Sequence, residues 1–312
     1  PAEFLCGLLN EQPMGFYPPA SLVRDAQRRG VEVRPPDVNR SAAGCSLEPR
    51  DNQLRGTPYA VRVGLAYVES VGEDDAQALV AEREANGPFA DVADLARRAP
   101  LSREALEALV GGGACDGFGP RRRDLLWELG LVARPHSVPG TRGAAKQLAL
   151  PLDVTAETPA LPDLTSWERM LADYRRTGLS VGVHPLELLR PHLPAGTLAS
   201  CELLHAPHGS EVAYAGMAVA RQRPATAKGI VFMLLEDEHG QVNLIVPAQV
   251  YEAHRALVRG EPLLLARGRY ERIGENRNVV VSRLESLGAL ARRVAEADVA
   301  GALPPAHHFG HR

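Results

Sequence analysis

Two glycine-marked turns are the residues of this 312-residue chain best suited to meeting a charged ligand. Gly117-Phe118-Gly119 sets a hydrophobic residue between two glycines. Glycine lets backbone amides approach a phosphate, and the aromatic ring anchors the turn in a helical core. Pro120 and an expected helix over 121–129 follow, so Arg121, Arg122 and Arg123 stand at the helix start, placed to meet a phosphate. Upstream, Ser70-Val71-Gly72 precedes a second expected helix, 74–85, with Ala76, Leu79 and Val80 on its packing side. There Ser70 replaces the first glycine, and Glu73, Asp74 and Asp75 put negative charge beside Gly72, which weakens an anion site. One such turn reads equally as a C-cap glycine before an unrelated N-cap. A pair joined by helices favours a helix-hairpin-helix arrangement gripping a nucleic-acid backbone.

A second set of candidates lies in a β-rich stretch. Strands are expected at 212–221, 229–236, 242–246, 262–270 and 278–287, with one helix at 249–258 between the third and fourth. Asp237-Glu238-His239-Gly240 supplies a hairpin turn between strands two and three. Five strands with a helix at that place is the element order of an OB-fold barrel, which holds single strands with basic and stacking side chains. Arg221, Arg223 and Lys228 cluster at the end of the first strand and its loop, Phe232 and Asn243 lie on the usual binding strands, and Tyr270 and Arg272 begin the turn after strand four. The competing reading is a structural barrel with solvated arginines and Phe232 in the core, because Ile230, Phe232 and Leu234 alternate as a core face would.

A third candidate is Gln147-Leu148-Ala149-Leu150-Pro151-Leu152, an apolar segment in polar context that would dock extended in a groove, or is a chance patch in a linker. His307, His308 and His311 form either a metal site or a solvated tail. The four cysteines are far apart, with no CxxC pair, so neither a zinc site nor a disulfide framework is expected. Nucleotidyl transfer needs clustered carboxylates for two metals. No Asp-x-Asp occurs, and Glu236-Asp237-Glu238 is expected to be a solvated hairpin tip. Walker-type loops, Gly-x-Ser-x-Gly and His-Glu-x-x-His are absent. No catalytic residue and no metal ligand is assigned. The net charge of −3 argues against a strongly basic nucleic-acid domain, so binding must come from local patches.

The elements that must position these residues form a multi-domain α+β chain. Residues 1–55 mix short helices and Pro-rich turns, including a helix expected from a Ser21 N-cap to Gly30, and are too few to hold a core alone. Residues 56–132 are helical and carry the tandem hairpins. Residues 133–195 are a linker with connecting helices, one capped by Thr165 or Ser166. Residues 196–290 form the barrel and 291–312 the tail. No apolar run spans a bilayer and no signal peptide is visible, so a cytoplasmic protein without membrane contact is expected. The start, without Met, suggests a fragment.

Gln12-Pro13-Met14-Gly15-Phe16-Tyr17 and Val33-Arg34-Pro35-Pro36-Asp37-Val38-Asn39 resemble the end of the fingers region of bacterial C-family DNA polymerases, the DNA polymerase III alpha-type enzymes. The hairpin block resembles their helix-hairpin-helix domain. Asp173-Tyr174-Arg175-Arg176-Thr177-Gly178-Leu179-Ser180 with His184-Pro185 resembles the segment before their OB domain. Arg221-Gln222-Arg223-Pro224, then Ala227 to Met233 and Leu235 to Glu238, is similar to the OB domain of the error-prone branch, and His308-Phe309 to its C-terminus. The resemblance implies the C-terminal part of an enzyme of damage tolerance, translesion synthesis and induced mutagenesis. The catalytic aspartates and their Mg2+ would belong to a palm outside this chain. It also implies primer-template duplex at the hairpins and single-stranded template at the barrel. The implied partners are accessory mutagenesis proteins and a sliding clamp, the latter through Gln147, Leu148 and Leu150, where Pro151 departs from the usual clamp peptide. The alternative is a non-enzymatic DNA-binding or protein-interaction module.

Overall fold

The computed structural model describes residues 1–14, 17–50, 58–132, 161–274, 276–299 and 301–309. The chain opens with α1 (Ala2–Asn10) and α2 (Pro19–Arg28). A three-stranded sheet follows: β1 (Val33–Arg34), β2 (Ser46–Pro49) and central β3 (Tyr59–Arg62). α2 starts ahead of the expected Ser21 cap. Pro19 occupies its first turn, where a missing N–H costs nothing, and Ser21 is buried within the helix. Gly30, at φ +84°, follows its end.

Four helices then build the hairpin region: α3 (Glu73–Asn86), α4 (Val92–Arg98), α5 (Arg103–Gly111) and α6 (Arg122–Val132). Local capping sets their starts. Asp91 accepts the Asp94 amide at 2.7 Å and Ser102 accepts the Ala105 amide at 3.1 Å. Leu79, Leu95, Leu109, Leu125 and Leu129 close their shared core. After the linker come α7 (Ser166–Thr177), α8 (Pro185–Leu189), β4 (Thr197–Leu198) and α9 (Ser200–Leu203). Thr165 is the α7 cap, in a reciprocal capping box with Glu168.

The barrel comprises β5 (Glu211–Gln222), β6 (Val231–Glu236), β7 (Gln241–Val246), β8 (Leu263–Ile273) and β9 (Asn276–Ser286). Its path β5-β6-β7-β9-β8 closes through a β5–β8 pairing. The expected single helix between the third and fourth strands is two, α10 (Ala248–Ala253) and α11 (Arg255–Gly260), broken at His254. α12 (Gly288–Ala295) follows the barrel, and β10 (His307–Phe309) returns as a parallel strand on β5. The mixed α+β order of helical hairpins followed by an OB-like barrel is therefore present.

β5 is buried along nearly its whole length because it serves two cores. Tyr214 and Ala218 face the barrel interior. Ala213, Ala215 and Met217, with Leu263 and Leu265 of β8, join a cluster with Leu5 and Leu9 of α1, Met170 of α7 and Leu186 of α8. The amino-terminal stretch, too small for its own core, thus borrows one from the back of the barrel. That docking leaves the outer surfaces of β6, β7 and β9 uncovered by it.

Candidate nucleic-acid interface

The first hairpin keeps the geometry of its motif despite the missing glycine. Val68 and Val71 are buried as anchors, and Ser70 adopts φ +63°, the left-handed conformation that glycine takes freely. Its hydroxyl lies 3.1 Å from Glu104 Oε1. Gly72 sits at the N-terminus of α3, where its amide donates to Asp75 Oδ2 at 3.4 Å. The Asp75 carboxylate of the acidic first turn is therefore the acceptor on the Gly72 amide.

The second hairpin packs half-buried Phe118 on the helical core, and Gly119 holds φ +99° with open space around it. Gly117 answers a different need. A Cβ there would approach Asp37 Oδ2 to 3.2 Å, so the glycine allows close packing against a carboxylate. The three arginines do not form one phosphate-facing row. Arg122 is turned inward at 5% exposure, with Nε and Nη2 donating to Asp116 at 2.8 Å each and Nη1 to Asp173 at 2.7 Å. Burial works against its charge, but the Asp116 and Asp173 carboxylates raise its pKa further still. Arg123 donates to Glu168 Oε1 at 2.5 Å and to the Pro162 carbonyl at 3.0 Å. Arg121 alone of the three is exposed without a carboxylate partner among the described residues, its Nη1 donating to the Leu161 carbonyl at 2.7 Å. Arg122 is thus corrected from surface contact to internal strut, because α7 brings Asp173 beneath it.

On the barrel, Phe232 is 39% exposed, whereas Val231, Met233 and Leu235 fill the interior. The core phase of β6 is the reverse of the one that alternation over 230–234 suggests. The register aligns Gln222, Phe232, Ile245, Val280 and Arg269 across the open outer face. A second row runs Leu234, Asn243, Asn278 and Glu271. An exposed ring flanked by half-buried aliphatics and amides has the make-up of a base-stacking platform. Lys228 is exposed at φ +48°, with no ion pair among the described residues, and Arg223 stacks on Tyr251, 4.4 Å from the ring centroid. Arg221 is buried. Tyr270, expected at the end of the fourth strand where its turn begins, lies within the longer β8 and is fully buried.

The carboxylate run of the β6–β7 turn is not a solvated tip. Glu236 and Asp237 have no exposed surface. Asp237 accepts hydrogen bonds from Ser200 N and Oγ, both at 2.6 Å, and from the amides of His239 and Gly240. Glu238 takes two from Arg190, at 2.7 and 2.8 Å. Glu236 meets Arg28 of α2 and Gln241, with His184 Nε2 3.6 Å away. Burial holds His184 below the usual histidine range. These residues anchor the barrel to α2, α8 and α9. Sequence reasoning missed them because their partners lie up to 208 positions away.

Among the described residues no group of three or more His, Cys, Asp or Glu is placed to hold a metal. No described helix is long and apolar enough to cross a membrane. Gln147, Leu148, Leu150 and His311 lie outside the described residues. α6 ends with Leu126, Trp127, Leu131 and Val132 exposed.

A helix-hairpin-helix motif family matches residues 30–125. An error-prone DNA polymerase of Mycolicibacterium paratuberculosis is 42% identical over 91% of this chain and 25% of its own length. One from Anaeromyxobacter sp. (strain K) is 44% identical over 93% of this chain and 25% of its own. This chain spans about a quarter of the length of these curated relatives. A solved asparaginyl-tRNA synthetase from Pyrococcus horikoshii aligns over 30% of this chain and 23% of its own, at 19% identity and a TM-score of 0.26.

Proposed function

We propose, from the premise that this chain is homologous to the error-prone DNA polymerases over more than nine-tenths of its length, that it does the DNA-holding work of such an enzyme. The observation that carries the reading is that kinship, which runs through the hairpin region and the barrel alike. Duplex behind the growing end would lie at the second hairpin, against Gly119 and Arg121. Single-stranded template would cross the barrel face at Phe232, with Lys228 and Arg223 at its border. The first hairpin, neutralised by Asp75, contributes packing. Nucleotide addition, its Mg2+ and its use in translesion synthesis during damage-induced mutagenesis belong to the whole enzyme in the cytoplasm. The sliding clamp and accessory mutagenesis proteins are its proposed partners, and the exposed apolar end of α6 favours some protein contact beside the DNA.

The test is fluorescence anisotropy of the chain with a primer-template duplex and with a single-stranded oligonucleotide, across a salt series. Both are expected to bind, with affinity falling as salt rises by roughly one logarithmic unit of slope per phosphate contact. Arg121→Ala should flatten the duplex slope by about one unit and leave the single-strand slope unchanged. Absence of salt-dependent binding to either substrate refutes the reading.

A further inference from the structure

Three arginines are nearly fully buried among the described residues: Arg62, Arg122 and Arg221. Two are neutralised at contact distance. Arg62 donates from Nε and Nη2 to Glu48 at 2.9 Å each, and Arg122 is held by Asp116 and Asp173. Arg221 is different. Its guanidinium has one acceptor among the described residues, the Glu261 carbonyl at 2.5 Å, and its Nε–H has none. No described carboxylate lies within ion-pair distance of it. Burial lowers its pKa, with the Glu261 charge only partly opposing. A buried charge without a counter-charge is costly, and such positions persist where something else supplies the anion.

What adjoins Arg221 is a set of further basic side chains. β10 lies parallel to the end of β5, with His307 opposite Ala220 and His308 opposite Arg221. Neighbouring strands are about 4.8 Å apart, so His308 and Arg221 share one end of the sheet. Arg259, exposed in the last turn of α11, is near enough for its charge to act on His308. Burial, then the charges of Arg221, His307 and Arg259, push the His308 pKa down. The charges acting on His308 are thus those of Arg221 from β5, His307 from its own strand and Arg259 from α11. Glu261, just beyond α11, is the one carboxylate acting on Arg221.

We propose that Arg221, Arg259 and His308 form a phosphate-binding site at the α11 end of the barrel, completed by the returning strand β10. Arg221 supplies fixed charge from beneath, while the exposed His308 and Arg259 supply the donors. The site lies round the end of the barrel from Phe232, since Arg221 is in register with inward-facing Met233. A backbone phosphate of bound DNA and free phosphate present the same chemistry. The first source rests on the single-strand reading above. Bound phosphate favours protonated His308, so affinity rises as pH falls through the histidine range.

The experiment uses the whole chain and a labelled oligothymidylate at constant ionic strength, at pH about 6 and about 8. Wild type is expected to bind about threefold or more tightly at the lower pH. His308→Ala should lose most of that dependence, and Arg259→Ala should weaken binding at both pH values. Binding by His308→Ala with the wild-type pH dependence overturns the site while leaving the barrel reading intact. If the oligonucleotide does not bind, the barrel reading fails and the site is read with inorganic phosphate, following the histidine ring resonances by NMR. A rise in the His308 pKa on phosphate addition then supports a free-phosphate site, and no rise overturns it.

Discussion

Arg122 in the hairpin region and Arg221 at the barrel end are both buried, and both follow from the sequence as candidates for contact with DNA. Their surroundings separate them. Arg122 joins α6 to the turn before it and to α7 through two carboxylates, and its charge is satisfied inside the protein. Arg221 meets a carbonyl and a histidine-bearing strand, and its charge is not satisfied by any carboxylate at contact distance among the described residues. A basic residue beside a turn therefore says little about ligands until its counter-charge is found. The helical region turns Arg122 and Arg123 onto its own carboxylates, whereas among the described residues Arg221, Arg223 and Lys228 of the barrel have no carboxylate partner and Phe232 is exposed.

The largest expected effect sets these two arginines against each other. Arg122→Met leaves Asp116 and the half-buried Asp173 without their cation and should cost about 3–5 kcal/mol in denaturant unfolding. Arg221→Met should leave stability within about 1 kcal/mol of wild type, or raise it, because no ion pair is broken. Equal losses would erase the contrast. Next, Phe232→Ala should cost about 1–3 kcal/mol in single-strand affinity by removing one stacking platform. Its exposed ring predicts little change in the melting midpoint, and a large fall in stability would return Phe232 to the core. The smallest effect concerns the first hairpin. Ser70→Gly relieves the left-handed strain and should stabilise by about 0.5–1 kcal/mol in the same unfolding assay, less whatever the Glu104 contact contributes. Duplex affinity should not change, since Asp75 still occupies the Gly72 amide. A gain in affinity would restore the first hairpin as a DNA contact.

Much of the framework was legible locally. α4 begins at Val92 because Asp91 caps it, and five barrel strands appear within a few residues of their expected spans. The phase of β6 was not legible. Residues 230 to 235 are apolar in both registers, and half-buried Leu234 shows that the outer face is itself partly covered. Alternation cannot choose a core side when both sides are apolar. The identity of the inward arginine was equally hidden, since Arg121, Arg122 and Arg123 differ only by rotation around the helix.

The sequence by itself determined the elements, their order and the kinship they carry, because caps, turns and periodicity act over a few residues. Only the tertiary structure decided which charges meet. Asp173 reaches Arg122 across 51 positions, Glu236 reaches Arg28 across 208, and the tail brings His308 back to Arg221. Coulomb energy depends on distance in space and on burial, and neither can be read along a chain before it closes on itself. The two glycine-marked turns that first suggested a phosphate grip are present as turns. The acids beside Gly72 are local in sequence, whereas Asp37 beside Gly117 and Asp173 beneath Arg122 were brought there by folding.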